Sequence, residues 1–498
     1  MEAYSRLIDL VGGFSPVHTV LARGADAELC YVHGKDTGND PQYWLIEKKG
    51  KNITLTTLGL TGIVQSVSMI RGHKREHLLE RKNGYGNFRS YTGQPVERLL
   101  AAAYDSISGF EFNDPRHKEL FGWRADQIIA RFGEMKQLYD EKDIVPEYND
   151  TMVIAKISKS CPRACIYCPE PSAQGIQLYD MDTITHNMSM AKNLHEKYHG
   201  RFINEMNEGF LNTSSILWFH LAGRYLDDKA WREEIKEDNP CIENLLGRAN
   251  LFGEKSTIRL KELVRRGAKG IIPDPKDIVG VFREHFPHLE KIYTFMGVPE
   301  TNATSEGYLS ELFNNAEGIN RVLVGIESAH NPTSRFLGKK ETAEDKTRAI
   351  TMLQKAGFKV KVIVQVGAVG EGFYHGGRFV SGREGLEETA AWLKQTMGNS
   401  YNGKTGKILV SRYVPVEGTP LAEMHNHMRN IRPYGPKNSP EKEVRWFVRR
   451  LQKEGLDVVS IVDEDYEVAV QERRAIRTGA GRKETRSRNF QIPPSHFI

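Results

Sequence analysis

The chain has 498 residues, and its 69 Lys and Arg against 64 Asp and Glu give a formal net charge of +5. Apolar residues make up 39% of it, which is ordinary for a globular protein and excludes a mainly disordered chain. Its five cysteines are too few for a disulfide-dense secreted scaffold. No run approaches the roughly 18 apolar residues that span a bilayer, and the N-terminus lacks the pattern of a signal peptide. We therefore expect a cytoplasmic protein in a reducing environment, with no membrane partner.

Residues 1–150 are predicted to form an N-terminal α+β region of unknown role. Apolar and polar residues alternate over 43–68, which indicates two or three short strands. Apolar residues at helical spacing predict helices over 96–107 and 123–141. No catalytic motif is apparent in this region.

From residue 151 to about 425, predicted strands and helices alternate. The predicted strands are 152–157, 215–222, 291–296, 321–325, 358–366 and 407–414. The predicted helices are 183–198, 257–267, 275–286, 343–356 and 384–397, with a polar insertion over 224–256. This alternation is typical of right-handed βαβ units and a parallel sheet, so we predict an α/β fold that closes into a partial or full barrel. Chemistry in such a fold lies at the C-terminal ends of the strands.

Residues 426–498 are predicted to be a C-terminal extension. Ser439, followed by proline, opens a helix that runs to residue 454, and 456–462 is a candidate final strand. The tail over 473–488 carries seven Arg and Lys residues and one acid, Glu484. Two interpretations of this tail are compatible with the sequence. It contacts phosphates of a partner, or it is a basic terminus exposed to solvent.

Three of the five cysteines lie within eight residues, as Cys161, Cys165 and Cys168 with the spacing C-x3-C-x2-C. One loop can direct three thiolates toward a common centre, which a regular strand does not do. Structural zinc usually takes four ligands in two separated pairs, whereas Cys30 and Cys241 lie far away in the sequence and are expected to be ordinary thiols. Iron–sulfur clusters are held by thiolates, and a three-thiolate cube would leave one iron open. A three-cysteine zinc site remains the alternative.

The same segment resembles the signature of the radical S-adenosylmethionine (radical SAM) superfamily, C-x3-C-x-aromatic-C, with Tyr167 at the aromatic position. The resemblance implies a partial (β/α)6-type barrel in which Cys161, Cys165 and Cys168 hold a 4Fe–4S cluster. It implies that the free iron is chelated by S-adenosyl-L-methionine, which is cleaved reductively to a 5′-deoxyadenosyl radical that abstracts hydrogen from a substrate. It also implies a one-electron donor such as a flavodoxin or ferredoxin.

Four further segments resemble cofactor-binding positions of this superfamily. In this superfamily a Gly-Gly-Glu turn holds the methionine amino group. Residues 221–224 match this turn in part, since they contain Gly223 but lack the acid. Residues 296–300 are an alternative position for the turn. Glu327 and Ser328 lie in a Gly-Ile-Glu-Ser strand end like that of the tRNA methylthiotransferases and the elongator catalytic subunit. An alternative for Glu327 is pairing with a buried arginine.

The remaining two segments resemble the positions that surround the adenine. Gln365 and Glu371 lie in 364–371, which resembles the fifth-strand motif, although a tight strand-to-loop turn explains its glycines nearly as well. Val414 lies in 411–415, which resembles the sixth-strand ending. His220 and Tyr413 are predicted on strands near the site, but a lone strand histidine is more often a core group than a ligand, and His220 receives no catalytic role.

Three functions are compatible with these motifs. The first is a radical SAM enzyme that acts on a macromolecule such as tRNA, which the strand-end motif and the basic tail favour. The second is a radical SAM enzyme of small-molecule or cofactor biosynthesis. The third is a non-catalytic, zinc-stabilised nucleic-acid-binding protein. A second cysteine group and an Asp-x-His-x-x-Gly cobalamin motif are both missing from the sequence.

Overall fold

The computed structural model describes the chain in segments. They are residues 17–23, 26–33, 42–49, 52–58, 64–71, 74–81, 88–92, 94–108, 110–112, 152–163, 165–168, 175–199, 208–253, 256–315, 319–398, 407–413, 415, 419–427, 430–435 and 438–461. These residues divide into two compact units. The first takes in the described chain up to Val153, and most of the second runs from Ile154 to Lys192 and from Glu208 onward. The three-region division predicted from the sequence stays a prediction.

The first unit is built on a seven-stranded antiparallel sheet whose strands follow one another in chain order. They are β1 (Val17–Arg23), β2 (Ala27–His33), β3 (Gln42–Lys49), β4 (Asn52–Leu58), β5 (Val64–Arg71), β6 (Lys74–Arg81) and β7 (Phe88–Ser90). Helix α1 (Val96–Ser108) buries Leu100, Tyr104 and Ile107 in the same core as Leu45 and Leu79 of the sheet. The predicted strands within 43–68 and the predicted helix over 96–107 are confirmed. The helix predicted over 123–141 lies outside the described residues.

The second unit is built on a seven-stranded sheet in the order β21-β19-β16-β15-β14-β11-β8. Its strands are β8 (Met152–Lys156), β11 (Glu208–Asn212), β14 (Lys291–Phe295), β15 (Ile319–Glu327), β16 (Lys359–Val366), β19 (Lys407–Arg412) and β21 (Val458–Ile461). The five neighbouring pairs from β11 to β21 are parallel. The strands follow one another in chain order from one edge to the other, as the strands of a partial barrel do, and the predicted α/β fold class is confirmed.

Helices connect these strands. They are α2 (Met181–His199), α3 (Leu217–Asp227), α4 (Lys229–Asp238), α5 (Pro240–Leu246), α6 (Leu260–Arg265), α7 (Pro275–His285), α8 (Val298–Asn302), α9 (Glu306–Asn315), α10 (Asn331–Phe336), α11 (Ala343–Lys355), α12 (Gly382–Met397), α13 (Pro420–Asn426) and α14 (Pro440–Lys453). None of the described helices is long and apolar enough to cross a membrane.

Two small sheets complete the second unit. One contains β13 (Ser256–Arg259), β12 (Asn250–Gly253), β10 (Gln177–Tyr179) and β9 (Ser158–Lys159) in that order. The other contains β18 (Arg378–Ser381), β17 (Gly372–His375) and β20 (Ile431–Arg432). The β17–β18 hairpin directly follows the segment that extends β16, so it lies at the C-terminal edge of the parallel sheet.

The strand predicted over 215–222 is wrong. Residues 208–212 form strand β11, and helix α3 starts at Leu217. This helix buries Leu217, Trp218, Phe219 and Leu221, and a short run that is apolar on every side has no period to separate a helix from a strand. His220 therefore lies on a helix, and the helix predicted over 257–267 is in part strand β13.

Candidate active site

The cysteine loop, residues 160–168, follows β8 and β9 at the C-terminal edge of the parallel sheet. Cys161, Cys165 and Cys168 are half-buried, and none of them forms a disulfide. Ser160, just before the first of them, has a φ of +60°, a left-handed conformation that costs a non-glycine residue about 1–3 kcal/mol. The backbone N–H of Cys168 donates to the carbonyl of Cys165 at 3.2 Å, which closes a tight turn and brings these two cysteines to the same part of the loop.

Other segments of the second unit hold the cysteine loop through its backbone. Ile166 donates to the carbonyl of Leu337 at 3.2 Å and accepts from the N–H of Leu421 at 3.0 Å. The guanidinium of Arg248 donates to the carbonyl of Pro162 at 2.9 Å. These bonds come from three distant parts of the chain, so the fold as a whole positions the thiols.

Arg163 lies between the first two cysteines and pairs with two glutamates. Its guanidinium contacts Glu300, a fully buried residue on α8, and Glu341 at 3.1 Å. Burial disfavours the charge on Glu341, but Arg163 and Lys339 outweigh burial and lower its pKa. The positive guanidinium is thereby fixed beside Cys161 and Cys165.

A second network joins Tyr167 to Glu327 and Lys339. The Tyr167 hydroxyl donates to Glu327 Oε1 at 2.8 Å, and Lys339 Nζ lies 2.7 Å from the same oxygen. Lys339 also donates to the carbonyl of Gly325. Burial raises the pKa of the Tyr167 hydroxyl, and the neighbouring Cys165 and Glu327 raise it further, so Tyr167 stays a hydrogen-bond donor.

Glu327 has an unusual backbone conformation for its residue type. Its φ is +57°, and the register between β15 and β16 shifts between Gly325 and Glu327. Such irregularities at a strand end re-aim a side chain. Here the carboxylate of Glu327 accepts from the hydroxyl of Tyr167 in the cysteine loop. The cation paired with Glu327 is Lys339, so the alternative prediction of a buried arginine partner is wrong.

Burial favours the protonated form of Cys161 and Cys165, and two cations oppose that effect. Burial raises the pKa of Cys161 to about 11, against the lowering effect of Arg163. Burial also raises the pKa of Cys165, while Lys339 and Arg163 lower it. Cysteines bind metals as thiolates, and Arg163 and Lys339 supply the positive charge that three clustered thiolates need.

The donor set fits an iron–sulfur cluster. In the described part of the chain, no three His, Cys, Asp or Glu side chains are arranged around one point for a single ion. Iron–sulfur clusters are held by cysteine thiolates. Cys161, Cys165 and Cys168, in one loop near Arg163 and Lys339, are the residues that would hold such a cluster.

Buried polar atoms without a hydrogen-bond partner lie at the ends of β11 and β16, two strands that β14 and β15 separate in the sheet. Asn212 Nδ2 and Ser214 Oγ are at the end of β11, and Gln365 Oε1 is near the end of β16; none has a hydrogen-bond partner in the described residues. Buried polar groups are usually paired, so these atoms suit the methionine and ribose groups of S-adenosylmethionine. Gln365 was predicted as a cofactor residue.

The other predicted cofactor residues lie in different surroundings. Ser328 is buried, with its hydroxyl 3.1 Å from that of Thr389. Glu371 accepts from the N–H of Gly435 at 2.9 Å and pairs with Arg432 at 3.3 Å, so it holds the turn beside β20 and does not contact the cysteine loop. Val414 lies outside the described residues.

The prediction that Gly223 ends a strand is wrong, since it lies inside α3. The alternative placement over 296–300 comes to the cysteine loop instead, because Glu300 pairs with Arg163. A Cβ on Gly297 would be 2.1 Å from Arg163 Nη2, so a larger residue here would require the Arg163–Glu300 ion pair to move. Tyr413 is buried just after β19 beside the ring of His425.

The sequence-based prediction missed Asn212, Ser214, Lys339 and Glu341. Asn212 and Ser214 belong to the polar run 212–215, whose position after a strand would have singled it out had β11 been recognised. Lys339 and Glu341 lie in a charged stretch between α10 and α11 that no local pattern distinguishes from a solvated loop.

No protein-family model matches the sequence, and no curated protein matches it. Among solved structures, the radical S-adenosylmethionine methyltransferase TsrM from Kitasatospora setae matches with a TM-score of 0.30 and 15% identity over 57% of this chain. Methylornithine synthase matches with a TM-score of 0.34 and 11% identity over 79% of this chain and 93% of its own. Elp3 of the archaeon Methanocaldococcus infernus matches with a TM-score of 0.34 and 13% identity, over 63% of this chain and 57% of its own. The chain spans 41% of the length of the methyltransferase.

Proposed function

We propose that the chain is a radical SAM enzyme. The observation that carries this proposal is the cysteine loop, whose three thiols lie at the C-terminal edge of a parallel sheet beside two buried cations. When bound there, a 4Fe–4S cluster and S-adenosylmethionine supply reductive C–S bond cleavage and a carbon-centred radical that abstracts hydrogen. The chain's own residues bind, orient and shield these groups.

Each residue of the site has a separate task in this proposal. Cys161, Cys165 and Cys168 bind the cluster as thiolates, and Arg163 and Lys339 stabilise their negative charge. Glu327, held by Tyr167 and Lys339, and Gln365 accept hydrogen bonds from the cofactor's hydroxyl or amino groups. The surrounding apolar residues, such as Leu337 and Leu421, exclude water from the reacting atoms.

Anaerobic reconstitution with iron and sulfide tests the ligand assignment. The wild-type protein is expected to bind about four irons with broad visible absorbance, and Cys165→Ala is expected to lose most of both. Cys241→Ala, at an exposed free thiol, is the matched control and is expected to behave as wild type. Tight zinc binding without iron absorbance would contradict the proposal and favour the zinc-stabilised class.

The proposed substrate class is a nucleic acid, with tRNA as the candidate. Tyr374 and Phe379 on the β17–β18 hairpin are 53% and 43% exposed, and their rings pack edge to face with centroids 5.4 Å apart. Arg432 lies over the Phe379 ring at 5.9 Å. Exposed aromatic rings beside arginines, at the edge of the sheet that carries the thiols, suit stacked bases and phosphates.

RNA binding by the whole protein tests this substrate class. The affinity of the wild-type protein for RNA is expected to fall steeply between about 50 and 200 mM salt. The double variant Tyr374→Ala/Phe379→Ala is expected to bind RNA about tenfold or more weakly than wild type. Tyr91→Ala, an exposed tyrosine of the first unit, serves as control. Binding that is absent or insensitive to salt would favour a small-molecule substrate.

A further inference from the structure

Four charged residues and one tyrosine lie together at the end of the parallel sheet opposite the cysteine loop. These residues occupy the first positions of four adjacent strands or lie close behind them, and we call them the basal cluster: Glu208, Lys291, Tyr293, Arg321 and Lys361. Side chains alternate along a strand, so Lys361 lies on the same face of β16 as Gln365. At about 3.3 Å per residue, these two positions are roughly 13 Å apart.

Contacts in the basal cluster centre on the buried ring of Tyr293. Lys291 donates to Glu208 Oε1 at 2.7 Å, and the Tyr293 hydroxyl lies 3.4 Å from the same oxygen. Arg321 Nη1 donates to the Tyr293 hydroxyl at 2.9 Å. The ammonium of Lys361 lies over the Tyr293 ring, 4.5 Å from its centroid. Four strands therefore bring three cations and one carboxylate around one ring.

Several polar atoms of the basal cluster have no hydrogen-bond partner among the described residues. They are Lys361 Nζ, Arg321 Nε and Glu208 Oε2. Lys361 is 5% exposed and Glu208 is 3% exposed, so bulk water does not satisfy them. An unpaired ammonium at such depth is costly. Burial and the charges of Arg321 and Lys407 lower the pKa of Lys361 to about 7.

The unpartnered atoms match one class of ligand. Lys361 and Arg321 offer N–H donors to an anion, and the cluster holds more positive than negative charge. The free oxygen of Glu208 accepts a hydrogen bond and repels an anion that has no proton to donate. An oxyanion that carries its own O–H satisfies both kinds of group, and the burial restricts the ligand to a small one.

We propose that the basal cluster binds inorganic phosphate in a protonated form, with Lys361 and Arg321 donating to its oxygens and its O–H donating to Glu208. Sulfate has the same shape but carries no proton at neutral pH, so Glu208 discriminates between the two anions. This site is independent of the cysteine loop and of the proposed radical chemistry.

Calorimetric titration of the full-length protein with phosphate, and with sulfate at equal ionic strength, tests the proposal. Phosphate is expected to bind at least tenfold more tightly than sulfate, and to raise the melting temperature accordingly. Lys361→Met removes the unpaired ammonium and is expected to weaken phosphate binding at least tenfold. Lys359→Met, at an exposed position of the same strand, is expected to bind phosphate like wild type.

Glu208→Gln supplies a second, independent test, because an amide donates where the carboxylate only accepts. In this variant the preference for phosphate over sulfate is expected to fall to less than threefold. Equal binding of phosphate and sulfate by the wild-type protein would overturn the proposal. Unchanged phosphate affinity in Lys361→Met would overturn it as well.

Discussion

At the scale of single residues, the site depends on charges that are buried and paired. Glu327 adopts a left-handed backbone conformation and meets Lys339 at 2.7 Å. Burial disfavours the charge on Lys339, but Glu327 and Cys165 raise its pKa above the ordinary value, so it remains a cation at the edge of the cysteine loop. We infer that Lys339 is a positioning residue, which orients Glu327 and Tyr167 and stabilises the thiolates.

Lys339→Met tests this role. Removing one partner of a buried ion pair leaves the other charge uncompensated and typically costs about 3–5 kcal/mol. The affinity of the reconstituted protein for S-adenosylmethionine is expected to fall about tenfold or more, with a shifted visible spectrum. Lys340→Met, at the exposed neighbouring position, is the control, and Lys339→Arg is expected to restore part of the affinity. A folded Lys339→Met protein with normal affinity and spectrum would contradict the role.

His220 gives a prediction about pH. It lies on α3, and its ring stacks on Tyr308 with centroids 3.5 Å apart. Burial, together with the charges of Arg224 and Lys276, lowers its pKa from 6.5 to about 4. Because the unfolded chain binds this proton more readily than the folded one, the stability associated with His220 is present above pH 6.5 and is lost as the pH falls toward 4.

The measurement is the free energy of unfolding in denaturant as a function of pH, for wild type and His220→Phe. Phenylalanine keeps the ring stack and does not titrate. Between pH 6.5 and 4, wild type is expected to lose up to about 3 kcal/mol more stability than the variant. If the free energy of unfolding depends on pH in the same way for both proteins, the lowered pKa of His220 is contradicted.

At the scale of elements, helix α11 shows how a local signal places distant site residues. The Thr342 side chain accepts from the N–H of Asp345, and the Asp345 carboxylate accepts from the N–H of Thr342, so the two residues form a capping box. The helix therefore begins one residue after Thr342, directly behind Glu341 and Lys339. Because the capping box holds the start of the helix in place, it also positions the preceding segment, which carries Lys339 and Glu341.

Thr342→Ala is expected to lower the free energy of unfolding by about 1 kcal/mol. Because the two capping bonds depend on each other, Thr342→Ala and Asp345→Ala together are expected to cost less than the sum of the single variants. Ser381→Ala, which removes the N-cap of α12, is the comparison, and its effect is expected to add to that of Thr342→Ala. Simple additivity of Thr342→Ala and Asp345→Ala would contradict a reciprocal box.

Helices and strands that carry a clear pattern in their own sequence were predictable, and those without such a pattern were not. Helix α11 has a cap, an apolar stripe and a glycine stop, and strand β16 is a run of β-branched residues after it; both are predicted within one or two residues. Helix α3 is apolar on the faces that a surface helix would keep polar, because it is buried on several sides. The misplaced strand put the expected strand end at Gly223, whereas β11 ends at Asn212.

At the scale of the whole molecule, the cysteines of the site are local in sequence and their partners are not. The thiols lie within eight residues, so the motif reveals them. Glu300 and Lys339 reach the loop from more than 100 residues away and depend on the order of the parallel strands. The basal cluster likewise takes one residue or two from each of four strands, so no sequence pattern could reveal it.

The central claim is that this chain cleaves S-adenosylmethionine reductively at its cysteine loop. Its most direct test is the formation of 5′-deoxyadenosine by the anaerobically reconstituted protein with S-adenosylmethionine and a strong one-electron reductant. We predict 5′-deoxyadenosine from wild type and from Cys241→Ala, and at least a hundredfold less from Cys165→Ala. Cluster-loaded wild-type protein that forms no 5′-deoxyadenosine above the Cys165→Ala level would contradict the claim.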